Sequence, residues 1–514
     1  MKPHPRAESE LRLPAILSDH MVLQAGEACR VWGWAKPGLD VRVHFDGQSQ
    51  EARTDVDGRW EVILQPLQAC SIGRRMVVAS DQECKFVEDV VVGEVWLGSG
   101  QSNMAMRVDK TADAEVLLAR AERPALRLFT VEWNGDWVPL EDVQGKWLVA
   151  NADAVAPFSA VLYVFGRELS DGLKRPVGLI NSSVGGSSGQ AWVAQSAVLA
   201  EPRLPRLHAQ IQQTLEEHPD IAERGGEYYR AWYKEFLKYW DALQAWQKLP
   251  EDTRGPSPGL SEATVMNMMT PGMFFNGMVA PLTPFNIRGV LWYQGEKNAN
   301  SGQAYEYRYL LATLINCWRK AWGKPELPCY CVQLPDFDAP EPESWSVLRE
   351  SIACVCDELS HTGMAVAIGL GDPKDIHPVN KTPVGSRLAR LALAQTYERP
   401  VACFGPMLRE SRAEDGRLRL HFNHCEGALL AEGDTLSGFE VAGDEGDFVS
   451  AQACIEGESV LVWNDEVAKP AYVRYAWSNT AQPSLFNAAS LPASPFRTDK
   501  RRVVSQPSEE FCHA

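Results

Sequence analysis

Three stretches carry the residue types of acyl transfer. In Gly98-Ser99-Gly100-Gln101-Ser102-Asn103 a run of β-branched and apolar residues (Val91, Val92, Val95, Trp96, Leu97) stops at a small-residue turn. Such a turn lifts one hydroxyl, that of Ser102, out of a buried strand and leaves backbone N–H groups beside it. A serine hydroxyl is a weak nucleophile and needs a base. His377, in the loop DPKDIHPVNK directly after the apolar run AVAIGLGD, has the most suggestive setting of the ten histidines. Two further loops follow apolar strands, Asn181-Ser-Ser-Val-Gly-Gly-Ser-Ser-Gly-Gln-Ala-Trp192 and Trp292-Tyr-Gln-Gly-Glu-Lys-Asn298. A glycine N–H and a side-chain amide are the donors that a tetrahedral oxyanion requires.

For these loops to meet, their strands must lie side by side. From residue 91 to 401 apolar runs alternate with helix-period segments. The runs are ALRLFTV (125–131), PVGLINSS (176–183), IRGVLWYQG (287–295), LPCYCVQL (327–334) and TGMAVAIGLG (362–371). The segments include FSAVLYVFGRELSDGL, AYEYRYLLATLINCWRKAWG, SWSVLRESIACVCDELS and VGSRLARLALAQTY. This alternation predicts an α/β domain with a doubly wound, mostly parallel sheet, whose ligands sit at the carboxyl ends of the strands. Residues 197–260 interrupt it as a helical insertion. Its aromatic residues recur at helical spacing, which predicts a packing face that forms one cleft wall and offers a surface for self-association.

Residues 1–90 hold short alternating strands (CRVWGWA, DVRVHF, RWEVIL) joined by Asp46-Gly47 and Asp57-Gly58 turns. They predict a β-sandwich-like domain for support or sugar binding. Alternation returns in 402–514 (RLRLHF, LSGFEVAG, SVLVWN, AYVRYAW), predicting a second β-rich domain, with SLPASPFRTD tied down on another domain.

The 514 residues exceed one core, and a formal charge of -17 argues against nucleic acid and anionic membrane as partners. No run of 18 apolar residues exists. The start MKPHPRAESELRLPAIL is polar where a signal peptide is apolar, so the chain as written reads as cytoplasmic, or as secreted or periplasmic if a leader has been removed. The 12 cysteines lack C-x-x-C spacing and read as reduced, buried thiols; no metal is expected.

In this order, LPAILSDHMVLQ, GEVWLGSGQSNM, FSAVLYVFGREL, PVGLINSSVGG, FNGMVAPL, IRGVLWYQGEKNA, DIHPVNKTPVG and SLPASPFRTD resemble the sialate O-acetylesterase family of the SGNH hydrolase superfamily. The resemblance spans about Leu13 to Asp499 and implies a three-layer SGNH-type sandwich with flanking β domains. It implies a carbohydrate esterase without cofactor, with Ser102 as nucleophile and His377 as base. Oxyanion donors would be the Ser102 backbone, Gly186 and the Gln294 amide. Gln101, Asn103, Glu296 and Asn298 would bind substrate or support the loops. Many superfamily members carry D-x-x-H, but Lys374 stands three before His377 and Asp375 two before it. Either Asp375 orients His377 or a backbone carbonyl does, and Asp372 is a further candidate. The substrate implied first is O-acetylated sialic acid, with acetylxylan or another plant sugar as the alternative. A non-catalytic carbohydrate binder on a degenerate hydrolase fold is the alternative of another class.

Overall fold

The computed structural model describes residues 11–250, 253–259 and 264–507. The first ten residues of the polar start and the far end of the insertion at residue 260 lie outside these. The central element is the strand Cys84–Gly100, buried without interruption from Val90 to Gly100. Burial on both faces explains why its sequence is continuously apolar rather than alternating. It is flanked by Val177–Ser183 on one side and Gly289–Tyr293 on the other, both parallel to it. Arg123–Thr130 and then Trp147–Ala150 extend the sheet beyond Val177–Ser183; Cys329–Gln333 and then Thr362–Val366 extend it beyond Gly289–Tyr293. Only Trp147–Ala150 runs antiparallel to its neighbour in this row.

The chain thus fills one side of the central strand first and the other side afterwards. That reversal opens a crevice at the carboxyl end of Cys84–Gly100, between its two neighbours. Register places the strand ends level there, because Ser183 and Tyr293 both pair with Gly100. Gly100 has φ of +136°, and a Cβ on it would meet the Tyr293 carbonyl oxygen at 2.0 Å. Both conditions exclude a side chain. Gly100→Ala is expected to cost about 3 kcal/mol, from strain plus overpacking, and to lower the denaturant midpoint. An unchanged midpoint would show that the turn relaxes freely.

The strand does not end at the 90/91 boundary expected from sequence. Its amino-terminal half pairs with Val22–Gln24 and Cys70–Ser80, and those pairings join the N-terminal strands to the central sheet as one 11-stranded sheet. Asp46-Gly47 makes the expected two-residue hairpin between Asp40–Phe45 and Gln48–Arg53, with both residues at positive φ. The apolar run 362–371 is a strand only to Val366. Beyond it the buried Asp336 carboxylate accepts the N–H groups of Gly369 and Gly371 at 2.8 and 3.2 Å and curls the chain out of the sheet.

Helix Ala160–Leu173 begins at Ser159, whose hydroxyl accepts the Leu162 N–H at 3.2 Å and donates to the Met104 carbonyl at 2.6 Å. One residue therefore caps a core helix and fixes the turn after Ser102. In the insertion, Tyr229, Trp232 and Phe236 form the buried face of Ile221–Gln247, and Phe236 with Tyr233 meets Trp133, as the spacing predicts.

In the C-terminal region four antiparallel strands (Met407–Glu414, Arg417–Asn423, Ser459–Trp463, Gln452–Glu456) form one sheet, and Phe439–Ala442 with Tyr472–Tyr475 anchors another. Its end is tied back, with Arg497 on Glu350 at 2.7 Å and Asp499 on Arg474 at 2.9 Å. Among the described residues the cysteines are free. Cys29, Cys317, Cys329, Cys331 and Cys425 are buried but Cys84 is exposed, so uniform burial does not hold. Among the described residues no helix is long and apolar enough to cross a membrane.

Candidate active site

Ser102 begins the single turn Ser102–Ala105 at the end of the central strand and is half-buried. Its hydroxyl lies 2.8 Å from His377 Nε2, although the two residues are 275 positions apart. Burial holds His377 below its ordinary value of 6.5, with Asp375 opposing and Lys381 adding to the shift. The ring is therefore neutral at neutral pH. With its Nδ1 side facing a carboxylate, Nε2 is the acceptor and the Ser102 hydroxyl donates. That pairing permits attack on a carbonyl with immediate proton transfer.

Asp375 comes to 3.7 Å from His377 Nδ1, an ion-pair distance rather than a hydrogen bond, and its side chain is 59% exposed. Its Oδ1 instead accepts the backbone N–H of His377 at 2.8 Å. The Asp372 carboxylate accepts the backbone N–H of Lys374 at 2.8 Å. The base loop is held from below by Asp336, whose carboxylate also receives the Gln482 amide at 3.0 Å. Fully buried Arg349 bonds the carbonyls of Leu334, Pro335, Ser478 and Asn479, clamping the C-terminal segment onto the same region.

The second loop passes directly over the nucleophile. A Cβ on Gly185 would sit 3.6 Å from Ser102 Cβ, and Gly186 has φ of +77° against Met268. Among the described residues the N–H groups of Ser102, Gly185 and Gly186 have no acceptor, and Gly185 lies against Ser102. Unpaired backbone donors beside a reactive hydroxyl are the raw material of an oxyanion hole.

Gln294 departs from its expected place. It is fully buried, and its amide nitrogen lies at 2.8, 3.1 and 3.2 Å from Asn298 Oδ1, Gln101 Oε1 and the Ser187 carbonyl. Two hydrogens facing three protein acceptors leave nothing for a substrate, so Gln294 does not reach the cleft. What it does is orient Gln101. The Gln101 Oε1 accepts from Gln294 and from the Lys297 N–H at 3.2 Å, which turns its own amide nitrogen to 3.5 Å from Ser102 Oγ. Sequence reasoning gave Gln101 a role in substrate binding or loop support and not as an oxyanion donor, because nothing in G-Q-S-N indicates which amide faces the hydroxyl.

Asn298 supports the loops: fully buried, it donates to Gln190 and Gln303 and accepts from the Gly189 N–H at 2.9 Å. Asn103 and Glu296 are likewise buried, joined at 2.6 Å beneath the nucleophile turn. None of these three touches the cleft. Lys381, missed in the sequence because a lysine before a helix reads as solvated surface, is buried and donates to Asn103 at 2.6 Å. Among the described residues no group of three or more His, Cys, Asp or Glu side chains is placed to hold a metal ion.

A mostly parallel sheet with a paired serine and histidine at its carboxyl edge is the framework of a carboxylic ester hydrolase. Residues 92–217 and 267–394 match the family described as carbohydrate esterase, sialic acid-specific acetylesterase. The chain is similar to the sialate O-acetylesterases of Mus musculus (26% identical, covering 94% of each chain) and Rattus norvegicus (29%, covering 77% of this chain and 76% of the other). It is also similar to a carbohydrate acetylesterase of known structure from Xanthomonas citri. That likeness is 32% identical over 96% of this chain and 100% of the other, with a TM-score of 0.79. The chain belongs to the sialate O-acetylesterase family of carbohydrate esterases.

Proposed function

We propose that this protein removes O-acetyl groups from carbohydrates, O-acetylated sialic acid first among them, through an acetyl-enzyme on Ser102. The observation that carries this reading is the 2.8 Å contact between Ser102 Oγ and His377 Nε2 beside unpaired backbone N–H groups. The Ser102 oxygen attacks the acetyl carbonyl carbon while its proton passes to His377 Nε2. The oxyanion is received by the N–H groups of Ser102 and Gly186 and by the Gln101 amide. The ester C–O bond then breaks, and His377 returns the proton to the departing sugar oxygen. Water repeats the sequence on the acetyl-enzyme, releasing acetate and free Ser102. Asp375 favours the imidazolium by its charge across 3.7 Å rather than by holding Nδ1–H. The reading includes an SGNH-type three-layer sandwich for the catalytic region and β units on either side, over about 1–90, 91–401 and 402–514. A binder on a degenerate fold has no use for a base aligned on the Ser102 hydroxyl.

Acetate release from O-acetylated sialic acid and from acetylxylan, measured side by side, tests the substrate. Higher kcat/KM on the sialic acid is expected; release from acetylxylan alone would move the assignment to plant polysaccharide. Within the site, Gln101→Ala is expected to lower kcat on the order of 10²-fold, the loss that follows removal of one oxyanion donor. Gln294→Ala reaches the oxyanion only indirectly, by freeing Gln101 and loosening the loop contacts to Asn298 and Ser187, and lowers kcat less. The reverse ranking would return Gln294 to the oxyanion hole.

A further inference from the structure

Beneath the nucleophile turn lies a set of buried polar groups that the acyl-transfer steps leave unused. Asn103, Glu296 and Lys381 are each 1% exposed or less. Lys381 Nζ donates to Asn103 Oδ1 at 2.6 Å, and Asn103 Nδ2 donates to Glu296 Oε1 at 2.6 Å and to the Ile376 carbonyl at 3.0 Å. The Lys381 ammonium also stands 5.6 Å from the centroid of the buried Tyr293 ring. The second Glu296 oxygen and the Tyr293 hydroxyl are buried without a partner among the described residues.

Two opposite charges buried on either side of one amide define that amide's orientation: the cation takes its oxygen and the anion takes its nitrogen. Asn103 follows Ser102 in the chain, and Ile376 precedes His377. The amide therefore ties the nucleophile turn to the base loop through one residue on each. We propose that Lys381 is a positioning residue for the reaction, its buried ammonium balanced by Glu296 and locking the His377 loop over Ser102 through Asn103. This rests on the reading of Ser102 and His377 as nucleophile and base.

The groups facing Lys381 are Glu296 and Asp375 as anions, His377, the Asn103 amide and the Tyr293 ring. Burial brings Lys381 down to about 7, with Glu296 and Asp375 opposing, and its positive charge in turn disfavours protonation of His377. Losing that charge makes His377 easier to protonate.

The test is Lys381→Met alone and combined with Glu296→Gln, assayed on an aryl acetate across pH with Ser102→Ala alongside. The single variant leaves a buried carboxylate without its counter-charge and is at risk of not folding. The double variant removes both charges with similar shape and supplies the readout in that case. In the folded variant kcat at the pH plateau is expected to fall on the order of 10²-fold, the loss that accompanies a misplaced base, with KM little changed. The acidic limb of the rate profile moves to higher pH. A lysine that only fills space in the core, without bearing on the base, would leave both the limb and the plateau kcat where they are, so an unmoved limb, or a plateau kcat equal to wild type, overturns the proposal. Full turnover by Ser102→Ala would instead overturn the reading of the site on which it rests.

Discussion

Ser102→Ala is expected to reduce kcat by on the order of 10⁴ to 10⁶ while leaving the fold intact. The magnitude follows from what remains. Backbone donors and substrate binding survive, but the only route to an acetyl-enzyme is gone. The loss should also be non-additive: with Ser102 absent, removing His377 as well costs almost nothing further, because the two groups act as a unit. Multiplied losses in the double variant would mean that His377 works independently of Ser102. The substitution is structurally mild, since the turn is held by Gly100 against Tyr293 and by Ser159 on Met104, not by the Ser102 hydroxyl.

His377→Ala is the second large effect, of the same order, and it carries a pH signature. Only the neutral imidazole accepts the Ser102 proton, so kcat/KM falls as pH drops through the His377 value. Burial places that value below 6.5, so the acidic limb of the profile lies below neutral pH. A limb centred above 7 would contradict this. Asp375→Asn refines the point. Asp375 favours the imidazolium, so its removal moves the limb to still lower pH. Its carboxylate is exposed and 3.7 Å away, so the turnover cost stays far below the roughly 10⁴ that follows when a buried, hydrogen-bonded triad aspartate is replaced by asparagine. A 10⁴-fold loss would mean that the carboxylate closes onto Nδ1 when substrate is bound.

The parts of this site legible in the sequence are those in which a chemical requirement coincides with a local pattern. A continuous apolar run ending in Gly-Gln-Ser-Asn declares a buried strand and a turn, and such runs at Val177–Ser183 and Gly289–Tyr293 declare its neighbours. His377 stood out because a loop after a buried strand is where an α/β sheet presents its chemistry. What stayed hidden depends on three-dimensional hydrogen bonding. Gln101 and Gln294 are both amides at strand ends, and only the shared contact at 3.1 Å decides that one is buried support and the other faces the hydroxyl. Lys381 looked like surface because a single sequence gives no sign that Glu296, 85 positions earlier, is buried beside Asn103 to receive its charge. The long strand Cys84–Gly100 misled in a different way. A change of rhythm near residue 90 suggested a boundary, whereas the strand continues and changes only its partners.

The most direct test is to mix the protein with an aryl acetate, quench in acid within the first turnovers and map the acetyl group by mass spectrometry of peptides. The account predicts one acetyl group per chain on the peptide containing Ser102, absent in Ser102→Ala and discharged by water in the unquenched wild type. Turnover with no acetylated Ser102, or acetylation of another side chain in its place, would contradict it.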